Sequence, residues 1–91
     1  MSIKRVKIKI EGQVQGVGFR FKAFLMAKKL GLSGFAKNEI DNSVIIEIQG
    51  DSQKVQDMIK WAKKGPDSAQ VSDFDIKEME ILENERRFET R

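Results

Sequence analysis

Neither cysteine nor histidine occurs in the 91 residues, and proline appears once, at Pro66. Without cysteine there is no disulfide, no thiolate nucleophile and no zinc–thiolate site. Without histidine, the commonest general acid/base and the phosphohistidine route are excluded as well. Long apolar runs are also missing, none approaching the roughly 20 residues that a membrane helix needs. The start, Met1-Ser2-Ile3-Lys4-Arg5, leads straight into an alternating pattern without a signal-peptide apolar region. The expectation is a cytoplasmic protein whose chemistry uses neither thiol nor imidazole.

What is present is ordinary for a small globular protein, 40% hydrophobic and 34% charged. A chain of this length builds one modest core, burying roughly 60–65% of its unfolded surface, so residues 1–91 are read as a single domain. A net charge of +3 and a pI near 9.3 favour anionic partners. Lysine and glutamate are interspersed with no basic block, which gives little support to nucleic acid binding.

Along the chain, Val6, Ile8 and Ile10 alternate with Lys7, Lys9 and Glu11, as a half-buried strand requires. Gly12 is expected to break that strand. Phe19 to Leu30, with Ala23, Phe24, Ala27 and Leu30 at helical spacing, reads as a helix ended by Gly31. Ser33–Ile40 and Ser43–Gln49 flank Asp41-Asn42 as a hairpin. Asp51 is the expected N-cap of a second helix with the stripe Val55, Met58, Ile59 and Ala62, stopped by Gly65-Pro66. Val71–Leu82 reads as a last long strand whose apolar phase shift implies a bulge near Lys77-Glu78, with a short further strand around Phe88. The order β-α-β-β-α-β predicts an α+β, ferredoxin-like sandwich: an antiparallel sheet of four to five strands with two helices on one face.

The chemistry is concentrated in Gly12–Arg20, where three glycines fall within seven residues between a strand and a helix, and an arginine follows. Glycines let successive backbone N–H groups converge, a helix N-terminus adds unpaired donors, and a guanidinium holds two oxygens through its fork. The pattern is neither a Walker loop nor a dinucleotide fingerprint. Taken alone it supports an anion site or a tight strand-to-helix connection.

Two segments go further. Gly12-Gln13-Val14-Gln15-Gly16-Val17-Gly18-Phe19-Arg20 resembles the phosphate-loop signature of the acylphosphatases, and Gly34-Phe35-Ala36-Lys37-Asn38, with Val44 and Gly50 downstream, resembles their second signature. Trp61, Gly65-Pro66, Ala69 and Val71 are similar too, so the likeness spans nearly the whole chain. It implies a hydrolase that cleaves the carboxyl–phosphate bond of acyl phosphates without a cofactor or a metal. The resemblance further implies that Arg20 and the backbone amides of Gln15, Gly16, Val17, Gly18, Phe19 and Arg20 hold the phosphate, and that Asn38 orients the attacking water. Inorganic phosphate is implied as product and inhibitor, and a monomer without nucleic acid or membrane partners is expected. Asn42 stands where the family usually has glycine in the hairpin turn, and asparagine tolerates the left-handed backbone such a turn needs.

This chemistry is consistent with the missing histidine and cysteine. A carboxylate leaves readily at neutral pH, so positioning and electrostatics can suffice. Asn38 is no base, but its amide oxygen can accept a hydrogen bond from water while its NH2 donates to phosphate. The competing expectation is a ferredoxin-like RNA-binding module, which needs aromatics on the third strand; Ser43–Gln49 has none. Phe19, Phe21, Phe24, Phe35 and Phe74 are read as core or pocket wall, and Trp61 as part of the helix–sheet contact. Glu39, Asp41, Glu78 and Glu80 form no recognisable metal cluster and are read as solvated.

Overall fold

Alternation in the first strand decides which way the sheet faces. In the computed structural model, which describes residues 2–91, Val6, Ile8 and Ile10 of β1 (Ile3–Gln13) are buried, while Lys7 and Lys9 point to the opposite, open face. The remaining elements are α1 (Phe19–Leu30), β2 (Ser33–Asn38), β3 (Val44–Asp51), α2 (Ser52–Lys64), β4 (Gln70–Met79) and β5 (Phe88–Thr90). They form one sheet in the order β4-β1-β3-β2-β5. Both helices cover the face that carries Val6, Ile8 and Ile10, which is the ferredoxin-like arrangement.

The α2 stripe is buried as its spacing predicts, at Val55, Met58, Ile59 and Ala62. In α1 the buried residues are Phe19, Ala23 and Ala27, whereas Phe24 and Leu30 only flank the core. Phe19 meets Trp61 edge to face, ring centroids 5.5 Å apart, and so joins the two helices.

Four expectations need correction. The sheet is mixed, because β5 runs parallel to β2 while every other pairing is antiparallel. Gly12 does not break β1, which continues to Gln13. The bulge lies between Glu11 and Gly12 against β4, not at Lys77-Glu78. A Cβ on Gly12 would sit 2.1 Å from the Gln70 carbonyl oxygen, so only glycine permits this close approach. The apparent phase shift in the last long strand has another cause: β4 ends at Met79, and Ile81 and Leu82 belong to the segment beyond it. Finally, Asp51 occupies the N-cap of α2 but makes no side-chain capping bond.

The segment after β4 must travel from one edge of the sheet to the other, and a row of polar side chains on the open face holds it. Arg5, Gln49 and Ser33 are register partners across β1, β3 and β2, and all three are at least nine-tenths buried. Gln49 bonds both the N–H and the carbonyl of Leu82. Ser33 donates to Glu85 at 2.8 Å, and Arg5 pairs with Glu85 at 2.7 Å and Glu47 at 2.9 Å. Such burial is tolerable because the charges meet partners, and among the described residues no buried side-chain polar atom lacks one.

Candidate active site

In this sheet order β1 and β2 run parallel with β3 between them, so the C-terminal ends of β1 and β2 lie at the same end of the sheet. The glycine loop leaves one, and Asn38 is the last residue of the other. At this end Gly16 and Gly18 take φ values of 74° and 79°. A Cβ at either would meet nothing within 4 Å, so the requirement is the left-handed backbone and not space. Left-handed residues alternating with ordinary ones turn backbone N–H groups into one concavity.

Gly18 is also the N-cap of α1 and, lacking a side chain, leaves the first N–H groups of the helix uncapped. The loop carbonyls are used elsewhere. Val17 oxygen accepts from the Ser68 hydroxyl at 2.7 Å, and Gly18 oxygen accepts from Lys22 N–H at 3.0 Å.

Gly16, Gly18, Phe19, Arg20 and Asn38 line one cavity of about 250 Å³, together with Val14, Phe21 and Thr90. That is below the roughly 300–1,000 Å³ of pockets for drug-sized ligands, and has room for a phosphoryl group and part of what it is bonded to. Arg20 is half-buried and one of its nitrogens donates to the backbone oxygen of Arg91 at 2.6 Å, which braces the guanidinium and leaves its other donors available. The cavity therefore gathers uncapped amides, a braced guanidinium and a carboxamide, a set of donors suited to an oxyanion.

Of the residues expected at the site, Gln15 and Val17 stand outside the cavity lining. The Gln15 side chain turns to the hairpin, donating to the carbonyl oxygens of Glu39 at 2.7 Å and Ser43 at 2.9 Å. Phe21, which is 58% exposed, is wall and not core. Thr90 had no signal in the sequence, since it arrives through the three residues of β5.

The hairpin that carries Asn38 is closed by its own turn. Asn42 adopts φ 72°, the left-handed conformation expected of it. Asp41 is less loosely solvated than its exposure suggests, because it accepts from the Ser43 hydroxyl and N–H and pairs with Lys9 at 3.0 Å. These contacts hold its carboxyl far below the usual range, the Ser43 hydroxyl first, and Asp41 in turn raises the Lys9 ammonium. A depressed carboxyl stabilises the fold above its unfolded value of about 4, and that contribution is lost as the pH falls through the folded value. Wild type is therefore expected to be more stable than Asp41→Asn at neutral pH, with the gap narrowing in increasingly acidic buffer. Urea titrations in neutral and acidic buffer check this; a gap of the same size in both would contradict it.

The geometry defines a class: a ferredoxin-like α+β domain with a glycine-rich, anion-receptive loop at the N-terminus of its first helix. The acylphosphatase family profile matches residues 6–90. An acylphosphatase of Clostridium beijerinckii is 42% identical over 79 residues, covering 87% of this chain and 88% of its own. One of Chlorobaculum tepidum is 40% identical over 88 residues, covering 97% and 96%. The crystal structure of acylphosphatase from Bacillus subtilis superimposes with a TM-score of 0.91 at 32% identity and covers 99% of both chains. The chain belongs to the acylphosphatase family, hydrolases that act on acyl phosphates.

Proposed function

We propose that the phosphoryl group of an acyl phosphate sits over Gly16–Gly18, held by the backbone amides from Gln15 to Arg20 and by the Arg20 guanidinium, with Asn38 orienting the attacking water. One observation carries this reading: Gly16, Gly18, Phe19, Arg20 and Asn38 line a single cavity. A water oxygen forms a bond to phosphorus, the bond from phosphorus to the carboxyl oxygen breaks, and the carboxylate leaves with the electron pair. The water's proton passes to a phosphate oxygen. Because the leaving group needs no protonation, the protein's part is positioning and charge stabilisation, for which no metal is required.

The acyl group leaves the cavity past Phe21 and Thr90, so the site examines the phosphate closely and the acyl part little. Inorganic phosphate shares the recognised oxygens and acts as a competitive inhibitor. All of these groups come from one chain, which supports a monomer, and no helix is long and apolar enough to cross a membrane among the described residues. A cytoplasmic enzyme is the proposed setting. The open face offers no stacking platform for RNA, since β3 presents Ile45, Glu47 and Gln49 there and Phe35 lies under the Arg91 guanidinium, 4.1 Å from its ring centroid.

The test is hydrolysis of benzoyl phosphate with chelator present. Wild type is expected to be active, and folded Asn38→Ala to lose kcat by about 100-fold, the scale set by misplacing a reactant by 1 Å. Loss of wild-type activity on adding chelator would overturn the metal-free mechanism, and an Asn38→Ala enzyme with full kcat would remove Asn38 from it.

A further inference from the structure

We propose that the side-chain amide of Gln15 is a positioning residue: it fixes Asn38 relative to the phosphate loop, across the strand that separates them. The proposal rests on the site reading above, and its starting point is a gap in the fold. The loop follows β1 and Asn38 ends β2, but the two strands do not pair, because β3 lies between them. Neighbouring strands stand about 4.7–4.9 Å apart, so the two halves of the site hang from backbones roughly 9–10 Å apart. A carboxamide that must aim a water at a bound phosphoryl group needs a link shorter than that detour through the sheet.

Gln15 provides one. Its NH2 group uses one proton on Glu39 oxygen at 2.7 Å and the other on Ser43 oxygen at 2.9 Å. Both acceptors are carbonyls, so only the nitrogen can face them, and the orientation of the amide follows. Ser43 immediately precedes β3, and its oxygen also accepts Glu39 N–H at 2.9 Å. The two peptide groups that flank the turn are thus tied to each other and to the loop. Glu39 directly follows Asn38, and with its N–H and its carbonyl both engaged the backbone entering and leaving this point is fixed. Gln15 is half-buried, and its side chain does not line the cavity, so it can set the aim of Asn38 without touching phosphate.

This separates two measurable quantities. Gln15→Met keeps the length and loses both donors, while Gln15→Lys restores a donor of similar reach. With benzoyl phosphate as substrate, Gln15→Met is expected to lower kcat about tenfold, less than the roughly 100-fold of a 1 Å misplacement. Competitive inhibition by inorganic phosphate should stay unchanged, because the loop amides and Arg20 remain. Gln15→Lys should recover part of kcat.

In an Asn38→Ala background, Gln15→Met should add no further loss, since residues acting through one another are not additive. Multiplying losses in the double variant, or inhibition by phosphate weakening in step with kcat, would overturn the proposal. So would a folded Gln15→Met enzyme with wild-type kcat. Should Gln15→Met not fold, Gln15→Asn, one methylene short of its acceptors, carries the same expectations. If Asn38→Ala alone keeps full kcat, the site reading itself fails, and that result is distinct from any obtained with Gln15.

Discussion

Replacing Arg20 by glutamine is expected to lower kcat/KM for benzoyl phosphate by about 100- to 1,000-fold, the usual effect of deleting one donor aimed at developing oxyanion charge. Glutamine keeps a polar tip and much of the length, so the loss isolates the charge and the fork. Lysine is expected to rescue little, because an ammonium is a point charge and cannot grip two oxygens in one plane. Stability should barely move. Arg20 is half-buried, and among the described residues the only hydrogen bond its side chain makes is the one to the Arg91 backbone oxygen. Steady-state kinetics beside equilibrium unfolding checks both halves of the expectation. Activity near wild type in a folded Arg20→Gln enzyme would mean that the cavity holds its phosphate elsewhere.

The largest structural effect is expected at Gly34, within β2. Gly34 has φ 137°, and a Cβ there would lie 1.9 Å from Glu47 oxygen and 2.8 Å from its carbon. These are backbone atoms of β3, so no rotamer change can relieve the clash. Gly34 is also paired on its other side, its N–H donating to Arg87 oxygen and its register partner in β5 being Phe88. Gly34→Ala must therefore push β2 away from β3 or from β5. A destabilisation of roughly 3–5 kcal/mol is expected, from the strained backbone and the broken pairing together. That corresponds to a fall in melting temperature of about 12 °C or more in a domain of this size. Gly31 is the matched control, because it too has a left-handed φ, 71°, but a Cβ there meets nothing within 4 Å. Gly31→Ala should cost about 1 kcal/mol. Similar losses in the two variants would show that conformation, and not contact, sets the effect at Gly34.

The difference between these two glycines also marks what could be read from residues alone. The sequence places Gly31 at a helix end and Gly34 in a strand, but only the pairing of β2 with β3 shows that Gly34 lacks room for a side chain. Periodicity was sufficient wherever one face of an element meets the core, as in β1 and in the α2 stripe, because burial imposes the period directly. The loop and Asn38 were legible through a resemblance, and their convergence follows from strand order, which no local pattern encodes.

Three features were not legible. The bulge at Gly12 depends on the approach of β4, whose partner there is Val71, far along the chain from any local signal. Residues 80–87 show no period, because they are held by single polar contacts from Arg5, Ser33 and Gln49 and not by a continuous apolar face. Gln15 reads as one more loop amide until its side chain is seen to reach Glu39 and Ser43.

The row of Arg5, Gln49 and Ser33 has a consequence for how the molecule behaves among its own copies. Their hold on residues 80–87 brings Phe88–Thr90 onto β2, which would otherwise be the outer strand, with the Gly34 N–H and the Ala36 carbonyl, now bonded to Arg87 oxygen and Arg91 N–H, left unpaired. A bare edge is a template for a neighbouring chain. In the folded protein the outer positions fall instead to β5, three residues long with a glutamate in it, and to β4, which carries Asp73, Asp75, Lys77 and Glu78. Arg5, at the far end of the sheet from the phosphate loop, thus helps to close an edge with which another chain could otherwise pair.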